Sequence, residues 1–194
     1  MPRAAVGYSV AMSTHQPPMD PMSSEADPKQ LELARKQGAM YRQALDHMAT
    51  EVAHDGGTKA AGEYIVGYAV EEAEGMYMWE DGELVWTEPE DENLHVEISV
   101  MDASDERFVP CLKVTGTLID PEGNELGTHE HELLWHPMIY HYGRNWTVPA
   151  DGEYTLKVHI DPPTFMRHDE VNGCRFKDAV DVTFEGVKVE RGQD

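Results

Sequence analysis

From Gly62 to the C-terminus the apolar residues alternate with polar ones or run together in short bursts. "EYIVGYAV", "GMYMWEDGELVWTE", "NLHVEISVMD", "FVPCLKVTGTLIDPEGNELGTHEHELLW", "GEYTLKVHI" and "DAVDVTFEGVKVE" all show this texture. It is the two-residue period of strands, whose side chains point alternately to opposite faces of a sheet. The joints "EDGE", "DPEGN" and "PADGE" carry the Asp, Pro and Gly that tight turns require. Many short strands joined by turns predict a mainly β fold, an immunoglobulin-like β-sandwich.

Upstream the period changes. Leu33, Met40, Ala44, Leu45, Met48 and Val52 recur at roughly helical spacing. Asp27 is a good N-cap and Pro28 a good first helical residue. The glycines of "HDGGTK" are expected to end the helix in a left-handed turn. Residues 27–55 therefore read as an added N-terminal helix of about five to six turns at ~3.6 residues per turn. Residues 1–26 are rich in Pro, Ser and Met without a period and read as a disordered leader. Residues 62–190 read as the sandwich domain, and as the part that binds metal.

Charge narrows the partners. Asp and Glu number 37 against 15 Lys and Arg, a net charge of −22. Nucleic acid and anionic membranes would repel this chain, and cations would be drawn to it. The acids are spread along the whole sequence, as in proteins adapted to high salt. Cys111 and Cys174 are expected to be free thiols. No apolar run reaches membrane-spanning length, so no insertion is expected. The opening residues lack an export signal's apolar core, which favours the cytoplasm.

The candidate chemistry lies in the histidines. Seven of the 10 fall between residues 95 and 168. His95-Val96-Glu97 puts an imidazole and a carboxylate on one strand face. His129 and His131 share a face in "THEHE". "WHPMIYHYG" adds His136, Met138 and His141, and "HIDPPTFMRHDE" adds His159 and His168. Imidazole with thioether selects copper and other late metals, while added carboxylate accommodates ferrous iron. Pro162-Pro163 is expected to stiffen the last loop so that His168 reaches the site, framed by His159, Asp161 and Met166. His159 itself, in an alternating run, is expected to be structural.

The segments "YIVGYAVEEAEGMYMW", "HVEI", "FVPCLKVTGTLID", "HYGRNW" and "GEYTLKVHIDPPTFMRHDE", in order over residues 64–170, resemble the ferrous-iron transport protein family. The resemblance implies a small β-sandwich that binds copper and/or iron beside an iron permease, is exported, and forms a homodimer. It implies metal ligands at His95, Glu97, His141 and His168. The fifth position, a methionine in the family, falls on Met138 by motif and on His131 by counting along the strand. The N-terminal helix has no counterpart in the family pattern. Binding without catalysis is the leading reading. A mononuclear metalloenzyme and a structural sandwich without metal are the alternatives.

Overall fold

The computed structural model describes residues 19–193. Most of the expected leader, residues 1–18, lies outside them. Its last residues are docked rather than loose. The Asp20 N–H donates to Asn172 Oδ1 at 2.8 Å and Ser23 Oγ donates to Asp169 Oδ2 at 2.7 Å. Composition marks such residues as polar, and only their tertiary partners fix them.

Helix α1 (Pro28–His47) starts where the sequence places it. Asp27 Oδ1 accepts the Gln30 N–H at 2.8 Å, and Gln30 Oε1 accepts the Asp27 N–H at 2.8 Å. This reciprocal capping box satisfies two donors that a helix start otherwise leaves unpaired. A π-helical turn, Met48–Val52, follows. The glycines of "HDGGTK" do not end the helix in a left-handed turn. Gly56 and Gly57 belong to an edge strand, and the helix stops earlier, at extended Ala53. A Cβ on Gly56 would lie 3.0 Å from Ala49 Cβ, so this glycine lets the strand pass close to the helix end.

The buried face of α1 also differs from the expected stripe. Leu31, Gly38, Leu45 and Met48 are buried, whereas Leu33, Met40 and Val52 face outward. Gly38 packs directly on the Asp105 carbonyl. Alanine is the better helix former by about 0.8–1 kcal/mol, yet its methyl would meet backbone here. Gly38→Ala is therefore expected to destabilise the protein by roughly 1–3 kcal/mol through overpacking. A thermal melt that rises instead would show that the helix can back away.

Ten strands follow: β1 (Asp55–Ala61), β2 (Tyr64–Glu71), β3 (Met76–Glu80), β4 (Glu83–Thr87), β5 (Leu94–Asp102), β6 (Val114–Ile119), β7 (Glu125–Trp135), β8 (Tyr140–Trp146), β9 (Gly152–Ile160) and β10 (Val180–Val189). Eight of them pair in the order β1-β2-β5-β8-β7-β6-β9-β10, with β3 and β4 as a separate hairpin. Strand β7 makes the fold sandwich-like. Residues 125–131 pair with β6 and residues 132–135 pair with β8, so the sheet turns over along one strand. At the far edges, Lys59 Nζ donates to the Thr183 carbonyl and the Lys188 N–H donates to Asp55 Oδ2. The fold is mainly β with one N-terminal helix, as the pattern predicts.

The core lies between the layers. Val66, Val96, Ile98, Val114, Leu118, Tyr142, Leu156 and Ile160 are among its members. Strand β5 is buried on both faces. Leu94, Val96, Ile98 and Val100 point into this core. Met101, on the other face, packs with Leu45 of α1 and Ile139, with Tyr41 and Ile65 against them. The outer face of β5 therefore lies under the helix rather than in water. The site sits on that face.

Candidate metal centre

His95 and Glu97 are two residues apart on β5 and share its outer face. His141 enters the same face from β8, next to core-facing Tyr142. All three are buried, with 1%, 4% and 4% exposure. One ligand atom from each lies within 4.8 Å of the others. Metal–ligand bonds of about 2.0–2.2 Å set ligand atoms on one ion up to about 4.4 Å apart, so a small inward adjustment would suffice.

The hydrogen bonding leaves these groups unsatisfied. His95 Nε2, Glu97 Oε2 and both ring nitrogens of His141 are buried without a hydrogen-bond partner. His141 Nε2 lies 3.3 Å from Glu97 Oε1 but is misaligned for a bond. Each such group costs roughly 1–3 kcal/mol when left unmet. A shared cation would satisfy them together. Two imidazoles and one carboxylate suit ferrous iron and copper.

Space for the cluster comes from Gly143. It pairs with Glu97 across the strands. A Cβ there would lie 2.8 Å from His95 Nε2 and 2.6 Å from Leu134 Cδ1. Gly143→Ala is expected to push the His95 ring aside and weaken copper binding at least tenfold, about 1.4 kcal/mol. Equal affinity in a competition titration would show that the ring has room to spare.

Around the cluster the field is acidic. Glu71 on β2 pairs with His95 in register, and Glu74 follows shortly after. Burial pushes the Glu97 carboxyl up to about 8, and the charges of Glu71 and Glu74 push in the same direction. Burial holds His141 down at about 3, helped by His95 and His136. Burial also lowers His95, against Glu74 and the Asn145 hydrogen bond. The metal-free centre is therefore neutral at pH 7. Tyr41 of α1 closes one side: its hydroxyl donates to the Tyr140 carbonyl at 2.7 Å and lies 3.1 Å from Ser99 Oγ.

Asn145 joins the centre to the segment before β3. His95 Nδ1 lies 2.8 Å from Asn145 Oδ1, and Asn145 Nδ2 donates to the Glu74 carbonyl at 2.7 Å. Sequence reading singled out neither Gly143 nor Asn145, although both lie in "HYGRNW". Their signal is positional: both alternate with core residues on the face that carries His141.

Of the six expected ligands, the fold brings together His95, Glu97 and His141. His131 is buried but faces the interior. It pairs with core residue Val114, stands 5.9 Å from the Trp146 ring, and its Nε2 would be struck by a Cβ on Gly116. Met138 sits on the short turn between β7 and β8 at 40% exposure, because the Trp135–Tyr140 pair closes the hairpin beneath it. The His136 ring stands 6.3 Å from that of His141, and its Nδ1 accepts the Met138 N–H. His168 is outside the cluster in this chain. Its side chain is 91% exposed and its Nδ1 lies 3.1 Å from Glu25 Oε2. The Pro-Pro stretch leads into an irregular segment held locally by Asp169 and Asn172, which turns His168 to solvent. His159 lies between Asp181 and Asp161, at 2.8 and 3.3 Å, on an exposed face. Cys111 and Cys174 are exposed free thiols.

Comparison with known proteins bears on the fold and the family. No curated relative matches the chain. Among solved structures, FetP of uropathogenic Escherichia coli is 19% identical, with a TM-score of 0.57 over 69% of this chain and 93% of that one. The copper-reconstituted P19 protein of Campylobacter jejuni is 15% identical, with a TM-score of 0.57 over 70% of this chain and 94% of that one. A copper-bound variant of FetP superposes with a TM-score of 0.56 at 18% identity, over 68% and 93%. At such identities the likeness is one of fold. The sequence model described as Fe2+ transport protein matches residues 50–187, most of the chain and all three cluster residues, so this protein belongs to the Fe2+ transport protein family.

Proposed function

We propose that this chain binds and handles copper or iron at a centre made by His95, Glu97 and His141. The observation that carries the reading is the convergence of three buried ligand groups, each with a polar atom that lacks a hydrogen-bond partner. Family membership and the copper-bound state of the FetP and P19 structures support it. His131, Met138 and His168 do not belong to the centre in a single chain.

The role is binding without turnover. The partner that receives or supplies the ion is an iron permease, in keeping with the family's description. FetP was recombinantly expressed in the periplasm of Escherichia coli, which is in keeping with an exported protein. Among the described residues no helix is long and apolar enough to cross a membrane. A homodimer belongs to the reading too, because Trp135, Met138 and Tyr140 leave apolar surface exposed on the turn beside His141.

The test is a titration of metal-free protein with Cu2+ and with anaerobic Fe2+. One ion per chain, bound tightly at physiological salt, is the expected result. Weak association that disappears with added salt would reduce the chain to an acidic surface attracting counterions. Two imidazoles and a carboxylate also serve ferrous oxygenases, and oxygen uptake by the iron-loaded protein would favour an enzyme instead.

A further inference from the structure

We propose that Asn145 is a positioning residue that fixes the tautomer of His95 and so aims its Nε2 lone pair at the ion. The inference rests on the metal-binding reading of the centre.

Asn145 is the register partner of His95 across β5 and β8. Its amide is oriented from the other side. Nδ2 donates to the Glu74 carbonyl at 2.7 Å, and the Glu74 N–H approaches Oδ1 at 3.4 Å. The nitrogen end of the amide is thus committed to Glu74, and the oxygen is the atom 2.8 Å from His95 Nδ1. An amide oxygen can only accept, so Nδ1 carries the proton. A neutral imidazole protonated at Nδ1 has its lone pair at Nε2. That atom is buried, has no hydrogen-bond partner, and faces the space left by Gly143 beside Glu97 and His141.

The other tautomer fails twice. It would set two lone pairs against each other at 2.8 Å, and it would place a proton where the metal must bind. The choice of an amide also fits the surroundings. Metal-bound histidines commonly donate to a carboxylate, carbonyl or water. A carboxylate at position 145 would add a negative charge to surroundings that already hold Glu71 and Glu74. Asn145 orients the ring without that charge.

The experiment is a long-range 1H–15N spectrum of the histidine rings in metal-free protein, with Cu2+ and Fe2+ titrations of wild type, Asn145→Ala and Asn145→Asp. Wild-type His95 is expected as the Nδ1–H tautomer. Asn145→Ala should give a tautomer mixture and bind about 10- to 100-fold more weakly. Asn145→Asp, which keeps an acceptor toward Nδ1 but loses the donor to the Glu74 carbonyl, should keep the Nδ1–H tautomer. An Nε2–H tautomer in the wild type overturns the proposal, and that spectrum needs no variant to fold. Unchanged affinity in Asn145→Ala overturns it as well. Failure of the wild type to bind either metal would instead defeat the metal-binding reading, while the ring spectrum still decides how Asn145 sets His95.

Discussion

His141→Ala is expected to lower affinity for Cu2+ and Fe2+ by at least about 100-fold, about 2.7 kcal/mol. The substitution removes one of two imidazoles from a three-ligand centre. It also leaves Glu97 Oε1 without the neighbour that stands 3.3 Å away. The fold should survive. His141 lies on the outer face of β8, and the core contacts of that strand are made by Tyr142 and Trp146. His168→Ala and His159→Ala are the controls. The first removes an exposed ring paired with Glu25, the second a ring held between two aspartates on a different face. Neither should change the affinity of the single chain. A titration in which His141→Ala binds like the wild type would move the ion elsewhere.

Affinity is also expected to climb about tenfold per pH unit from pH 6 toward the Glu97 value of about 8, and then to level off. Glu97 is protonated in the metal-free protein at pH 7, so the ion must displace one proton. The imidazoles release none in this range, because burial keeps them neutral. Calorimetry in two buffers of different ionisation enthalpy reads the proton directly. Glu97→Gln should abolish the release and flatten the profile. A pH-independent affinity in the wild type would mean that Glu97 is already ionised, or is not a ligand.

The same groups set the stability of the metal-free chain. A carboxyl raised from 4.5 to about 8 holds its proton more tightly when folded, so its contribution is lost as pH rises through that interval. An imidazole lowered from 6.5 to about 3 works in the opposite direction, and its contribution is lost as pH falls through that interval. The metal-free centre is therefore penalised on both sides. A bound cation relieves the alkaline side, where Glu97 wants to ionise.

Much of this was legible in the sequence because it depends on local period. The pair His95 and Glu97 follows from strand alternation alone. Asp27-Pro28 announces the start of α1, and "EDGE" gives the β3–β4 turn, where Asp81 and Gly82 both adopt positive φ. What the sequence could not show depends on register. His131 and His141 look equivalent as strand histidines, yet pairing with Val114 turns one inward and neighbouring Tyr142 turns the other outward. Met138 appears adjacent to His141 in sequence, but a short turn throws it to the surface. His168 depends on where an irregular segment of almost 20 residues goes, and its local hydrogen bonds rather than the prolines decide that. Leu33 and Met40 look like a helix core until Gly38 shows which face approaches the Asp105 loop.

The most direct test of the account is anomalous scattering from crystals loaded with copper. The predicted result is one strong peak within bonding distance of His95 Nε2, a Glu97 carboxylate oxygen and a His141 ring nitrogen, in the space beside Gly143. A peak at His168, or density only at exposed acids with the buried cluster empty, would contradict it.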